Sequence, residues 1–291
     1  MAQLLLGKEV NEAIVADLQN RVAALQEKGI IPTLGILRIG ETASDLSYEK
    51  GATTKAALVG VEIKKFQLPA DAAKEAVLSA IDQLNADESV HGVLLFRPLP
   101  AHLKADESEI CNRLDPKKDV DAMTHLSNAG VFEGRTDLGF APCTAAACME
   151  ILDHYKIDCA GKTAVVIGRS AVVGKPAAMM LMSRNATVTV CHTKTKNTAD
   201  VCRGADIIIS AAGKRGSLTK DFVSPNQVII DVSMNWDAEK ITAKGKGGMS
   251  GDAVFSEVEP IVAAITPVPG GVGAVTTSVL MKHVVEAAEK S

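Results

Sequence analysis

The stretch TAVVIGRSAVVGKP, residues 163–176, decides how this chain is read. It opens with the apolar run Ala164 to Ile167, rich in β-branched side chains and therefore strand-like. Gly168 ends the run, Gly174 follows, and Pro176 precedes the helix-favouring AAMMLMS. Strand, glycine turn and helix start, in that order, suit a nucleotide phosphate. Backbone N–H groups and the positive end of the helix dipole face such an anion. The pattern is not G-x-G-x-x-G, because Ser170 stands where the second glycine would be. By spacing alone the stretch fits either a dinucleotide site or an ordinary strand–turn–helix corner.

Strands and helices alternate on both sides of it. Downstream, TVTVC (187–191), DIIIS (206–210) and VIIDV (228–232) read as strands with short helices between them. Upstream, Val10, Ile14, Leu18, Val22 and Leu25 recur at helical spacing over residues 8–28, and Gly29 stops the helix. Then come a strand at 32–38, a polar loop IGETASDLS, a helix near 47–59, a strand at 61–66, a helix at 71–84 and a strand at 92–96. This β-α-β-α-β order implies a parallel sheet with helices on its faces, hence an α/β fold. Residues 143–155 read as a helix with Thr144 as its N-cap, and the domain boundary falls on or near it. A Pro/Gly hinge, TPVPGGVGA (266–274), precedes a last helix.

The bulk numbers exclude several classes. A length of 291 residues allows about two domains. The net charge of −4 gives no electrostatic case for nucleic acid or anionic membranes, and 3% aromatics argue against base-stacking platforms. Six cysteines show no C-x-x-C pair and no His/Cys spacing for a metal, so they read as reduced core thiols of a cytoplasmic protein. The apolar run in MAQLLLGKEV is too short for a signal peptide, and no stretch reaches the roughly 20 apolar residues of a membrane span.

In open α/β sheets ligands bind beyond the carboxyl ends of the strands. That singles out residues 39–48, residues 97–100 and the acidic loop DPKKDVDAM (115–123), the last of which also reads as a solvated charged loop. The strand at 187–191 ends in His192-Thr193-Lys194-Thr195-Lys196, with no acid to hold a ribose 2′-OH. Hydroxyl and cationic groups there, with Arg169 in the glycine turn, favour NADP over NAD, unless the two lysines are simply solvated.

GRSAVVGKP (168–176), TVTVCHTKT (187–195), KDVDA (118–122), APCTA (141–145) and PVPGGVGA (267–274) together give the chain, over nearly its whole length, a resemblance to the methylenetetrahydrofolate dehydrogenase/cyclohydrolase family. The resemblance implies a folate-binding catalytic domain (1–147 plus 274–291), a Rossmann-like NADP domain (148–273), a cleft between them, a C-terminal helix returning to the first domain, and a homodimer. It implies NADP held by Gly168, Arg169 and Ser170, with Thr193 near the 2′-phosphate and Met234 beside the cofactor. It implies a tetrahydrofolate derivative stacked on Tyr48, hydrogen-bonded by Asp121 and flanked by Pro269, Gly270, Gly271 and Gly273, and no metal.

Departures from the family pattern carry as much weight. The family's lysine one helical turn after the tyrosine is Ala52 here, its glutamine in V-Q-x-P-x-P is Phe96, and a proline before the tyrosine is Ala43. Moving a hydride between two carbons needs positioning above all, and Tyr48, Asp121 and the glycine loop supply it. Hydrolysis of the methenyl product needs a group that moves protons, and neither Ala52 nor Phe96 does so. The expectation is an NADP-dependent dehydrogenase with weak or absent cyclohydrolase activity. Lys50, Lys55 and Arg97 are the candidate substitute bases. Met123 and His125 read as packing and surface residues. The competing readings are a fully bifunctional enzyme, a non-catalytic folate- or NADP-binding regulatory protein, and a shikimate-type dehydrogenase.

Overall fold

A computed structural model describes residues 1–242 and 245–291. Its strands in chain order are β1 (Gln3–Leu4), β2 (Thr33–Ile39), β3 (Glu62–Leu68), β4 (Gly92–Leu95), β5 (Thr163–Ile167), β6 (Thr187–Cys191), β7 (Ile207–Ser210), β8 (Val228–Asp231), β9 (Asn235–Thr242), β10 (Gly245–Ser250) and β11 (Ala264–Ile265). The α-helices are α1 (Gly7–Gln26), α2 (Ala43–Val59), α3 (Lys74–Ala86), α4 (Glu107–Asn112), α5 (His125–Glu133), α6 (Cys143–His154), α7 (Gly174–Ser183), α8 (Thr198–Arg203), α9 (Phe255–Val258) and α10 (Thr276–Glu289). The chain divides into two units, one of residues 12–143 and 277–291, the other of residues 1–11 and 144–276.

In the first unit β3, β2 and β4 form a parallel sheet with β2 in the middle, every one of its seven residues buried. An all-buried strand is what a parallel sheet covered on both faces requires. Val77, Ile81 and Leu84 of α3 pack with Leu37, Ile39, Val93 and Leu95 in one core cluster. Met123 belongs to the same cluster, while His125 is exposed. Helix α2 starts at Ala43, four residues before the expected start, because Thr42 caps it: its hydroxyl accepts the Asp45 N–H at 3.2 Å. Buried in β2, Arg38 donates to Glu49 of α2 at 2.9 Å, and Lys65 of β3 meets the other Glu49 oxygen at 2.8 Å.

The second unit is a six-stranded parallel sheet in the order β1-β11-β8-β7-β5-β6. The chain turns both ways from β5, toward β6 on one side and β7 and β8 on the other, which makes the switch point of a doubly wound fold. Residues 1–11 group with this unit, where β1 pairs with β11. Two residues are too short a run to carry a strand signal. A further difference is the antiparallel β9–β10 hairpin, whose exposed Trp236 and Ile241 and glycine-rich return give no clean alternation. Helix α6 begins at Cys143, so Thr144 sits inside it and is not its N-cap. All six cysteines are free and buried, and among the described residues no helix is long and apolar enough to cross a membrane.

Candidate functional site

In the first unit the candidate residues gather beyond the carboxyl ends of β2 and β4. Tyr48 lies in the early part of α2, and Phe96 follows β4 directly. Their rings meet edge to face, centroids 5.8 Å apart and planes at 84°. Ala52, one turn after Tyr48, is fully buried. Asp121 accepts the Cys143 N–H at 3.0 Å. Tyr48 is exposed as a residue, yet desolvation around its phenol first, then Cys143 and Asp121 nearby, raises its pKa, so it stays neutral at neutral pH. The Cys143 thiol, buried with Asp121 and Asp119 around it, is likewise held protonated.

Two residues that the sequence reading did not single out hold this corner. Asp119, fully buried, accepts the N–H groups of Met123 and Thr124 at 2.8 Å each and so shapes the 119–124 loop, in which Ala122 takes φ +52°. His283 of α10 has Nδ1 2.9 Å from the Val120 carbonyl and 3.8 Å from Cys143 Sγ, and its ring stacks on Phe140. The KDVDA motif flagged Asp119 only as a neighbour of Asp121, and nothing local in the sequence ties His283 to this loop. Of the candidate substitute bases, Lys50 is exposed, Lys55 is half-buried with its pKa lowered by burial, and Arg97 is half-buried beside Phe96.

In the second unit the glycine turn has the shape expected of an anion cradle. Gly168 has φ +122°, and a Cβ there would lie 2.2 Å from the Ala211 carbonyl oxygen. A Cβ on Gly174 would lie 2.3 Å from the Gly168 oxygen, so neither position tolerates a side chain. Ser170 works on the turn itself: its hydroxyl accepts the N–H groups of Val173 at 3.1 Å and Gly174 at 3.3 Å. The turn after β6 is closed by the His192 N–H donating to the Thr195 hydroxyl at 2.9 Å. Arg169, Thr193, Lys194 and Lys196 are exposed, and among the described residues none of these three cations forms a salt bridge. A bare turn and unpaired cations at the switch point fit a phosphorylated dinucleotide.

The Pro269–Gly273 loop belongs to this unit too. Gly270 has φ +105° and its carbonyl accepts the Gly7 N–H at 2.8 Å, while a Cβ on Gly271 would sit 2.6 Å from the Pro267 oxygen. Met234 is 54% exposed, and its sulfur lies 3.0 Å from where a Gly273 side chain would start, which brings these two sequence candidates together.

A doubly wound unit with a bare glycine turn, carried on one chain with a second α/β unit that bears a tyrosine–aspartate corner, defines a two-domain nucleotide-binding α/β enzyme. The tetrahydrofolate dehydrogenase/cyclohydrolase NAD(P)-binding domain matches residues 142–291, and the catalytic domain of the same name matches residues 5–121. The chain belongs to the tetrahydrofolate dehydrogenase/cyclohydrolase family. It is 48% identical to the bifunctional protein FolD of Carboxydothermus hydrogenoformans over 99% of this chain and 98% of that one. The crystal structure of the bifunctional FolD enzyme from Campylobacter jejuni superposes with a TM-score of 0.92 at 35% identity, covering 100% of this chain and 99% of the other. The Trypanosoma brucei enzyme, solved with NADP cofactor and inhibitor, gives a TM-score of 0.91 at 32% identity, covering 99% of this chain and 98% of that one.

Proposed function

We propose that this chain is an NADP-dependent 5,10-methylenetetrahydrofolate dehydrogenase of one-carbon metabolism whose methenyltetrahydrofolate cyclohydrolase activity is weak or absent. The dehydrogenase half rests on family membership and on the glycine turn with its cationic flank. The cyclohydrolase half rests on one observation, the make-up of the Tyr48 corner: a neutral phenol, a carboxylate, a buried methyl group at Ala52 and a phenyl ring at Phe96.

Bound NADP supplies the hydride acceptor. Tyr48 offers a ring face for the pterin, and Asp121 offers a carboxylate oxygen to its N–H groups. Positioning of this kind contributes most of what hydride transfer between two carbons requires, and the folate nitrogens stabilise the cation left behind. Arg169 and Thr193 face the ribose phosphate, and Gly168 and Ser170 keep the turn open to the diphosphate. Pro269 and the side-chain-free Gly270, Gly271 and Gly273 form a largely backbone wall, and Met234 lies against it. Hydrolysis asks for a proton carrier at the reacting carbon. A phenol held far above its usual pKa does not serve as a base at neutral pH.

A second reading, full bifunctionality with a repositioned base, is favoured by the names of the relatives and by the half-buried Lys55 and Arg97. The first test is formation of NADPH from methylenetetrahydrofolate and NADP. Turnover supports the dehydrogenase reading, and binding of both ligands without turnover leaves a regulatory binder. The same proposal includes a cytoplasmic homodimer, which sedimentation reads directly.

A further inference from the structure

Two carboxylates that no motif singles out lie at the carboxyl ends of β7 and β8. Asp252 is fully buried and accepts five hydrogen bonds. Three come from the β7 end and the loop after it: the Ser210 hydroxyl at 3.2 Å and the N–H groups of Ala212 at 2.7 Å and Lys214 at 2.8 Å. Two come from the segment after β8: the Ser233 hydroxyl at 2.8 Å and, at the start of β9, the Asn235 amide at 3.1 Å. The Gly213 N–H also donates to the Ser233 hydroxyl at 3.1 Å, closing the two loops on each other. Asp252 is itself held from behind. Asp231 accepts the N–H groups of Asp252 at 3.0 Å and Ala253 at 2.8 Å, and a Cβ on Gly251 would lie 2.0 Å from Asp231 Oδ2.

In a doubly wound sheet the loops beyond the strand ends make the cofactor site, and the end of the second strand takes the adenine ribose. With the strand order β8-β7-β5-β6, the β6 side takes that ribose and the β7 and β8 loops are left for the nicotinamide half. We infer that Asp252 is a positioning residue that fixes the nicotinamide side of the cofactor site by locking the 211–214 loop to the 232–235 loop. The inference rests on the NADP reading above. A carboxylate suits the task because it accepts from several donors at once, whereas the isosteric amide presents only one acceptor oxygen and adds two donors. Removing it leaves five donors short of an acceptor inside the fold, and the two loops lose their common anchor.

The test compares two ligands on Asp252→Asn. NADPH spans the whole site, whereas 2′,5′-ADP reaches only the glycine turn and the β6 end. The single tryptophan, Trp236, follows Met234 closely and is 68% exposed, so its fluorescence reports on the 232–235 loop. The expected result is an NADPH Kd raised about tenfold with 2′,5′-ADP binding within twofold of wild type. Ser233→Ala removes one of the five bonds and is expected to raise the NADPH Kd about threefold. Unchanged NADPH affinity in a folded Asp252→Asn protein, or equal loss of both ligands, overturns the inference. If Asp252→Asn does not fold, Ser233→Ala decides: unchanged NADPH affinity there overturns it. Failure of the wild-type protein to bind either ligand overturns the NADP reading instead.

Discussion

Phe96 sets its ring edge-to-face against Tyr48, with centroids 5.8 Å apart. Phe96 stands where the family resemblance implies a glutamine, and Ala52 stands where it implies a lysine. Such a ring contact is worth about 1 kcal/mol beyond burial and holds the Tyr48 ring in a set orientation. It provides no proton path.

The proposal therefore predicts a gain of function. The double substitution Ala52→Lys with Phe96→Gln is expected to raise methenyltetrahydrofolate hydrolysis by at least about tenfold, up to the roughly 10²–10⁴-fold that a well-positioned acid/base group contributes. Dehydrogenase turnover is expected to hold within about threefold. The cost appears in stability, since Ala52 is fully buried and overpacking there costs about 1–3 kcal/mol. Stopped-flow loss of methenyl absorbance reads the gain, and thermal melting reads the cost.

Tyr48 is expected to act by shape and not by ionisation. Although the residue as a whole is exposed, desolvation of the phenol, reinforced by Cys143 and Asp121, raises its pKa, so it keeps its proton at neutral pH. Tyr48→Phe is then expected to leave the pH–rate profile between pH 7 and 9 unchanged in form. Tyr48→Ala is expected to raise the folate KM about tenfold through lost stacking. A basic limb that disappears in Tyr48→Phe contradicts this.

Cofactor choice is expected to follow Arg169. Its exposed guanidinium follows β5 as Thr193 and Lys194 follow the neighbouring β6, and no acid stands at the end of β6. Arg169→Ala is expected to raise the KM for NADP about tenfold, as loss of a charge-assisted hydrogen bond does, and to leave the KM for NAD within twofold. Parallel initial-rate measurements with the two cofactors check it.

Asp231 gives a stability prediction with a definite sign. Burial raises its pKa to about 6, above the usual carboxylate value, so between about pH 4 and 6 the folded state holds a proton that the unfolded state has released. The contribution of this group is fully present below about pH 4 and is lost as pH rises through about 6, by up to roughly 3 kcal/mol. Asp231→Asn cannot titrate and is expected to flatten the pH dependence of urea unfolding in that window. An unaltered slope would show that the carboxylate does not titrate there.

Most of the scaffold was legible in the sequence. The apolar β-branched runs at 163–167, 207–210 and 228–231 announced the second sheet because strands buried on both faces leave a continuous hydrophobic signal, and the mostly exposed edge strand at 187–191 showed instead as alternating Thr and Val. The parts that escaped carry no such signal. The strand Gln3–Leu4 is too short to read, and the 235–250 hairpin lacks alternation. Thr42 lay within a run of polar residues in which the capping threonine did not stand out. Arg38, Asp231 and Asp252 act through partners that folding brings to them from other segments, so their residue types alone looked like solvated charge. Asp121, Gly168 and Gly270 stand within short motifs, whereas Tyr48 was named only through the family resemblance.

The most direct measurement supplies the purified protein with methenyltetrahydrofolate and follows its hydrolysis beside NADP-dependent oxidation of methylenetetrahydrofolate in the same preparation. The account predicts ready NADPH formation with methenyl hydrolysis at least a hundredfold slower. Hydrolysis at a rate comparable to the dehydrogenase step would contradict it.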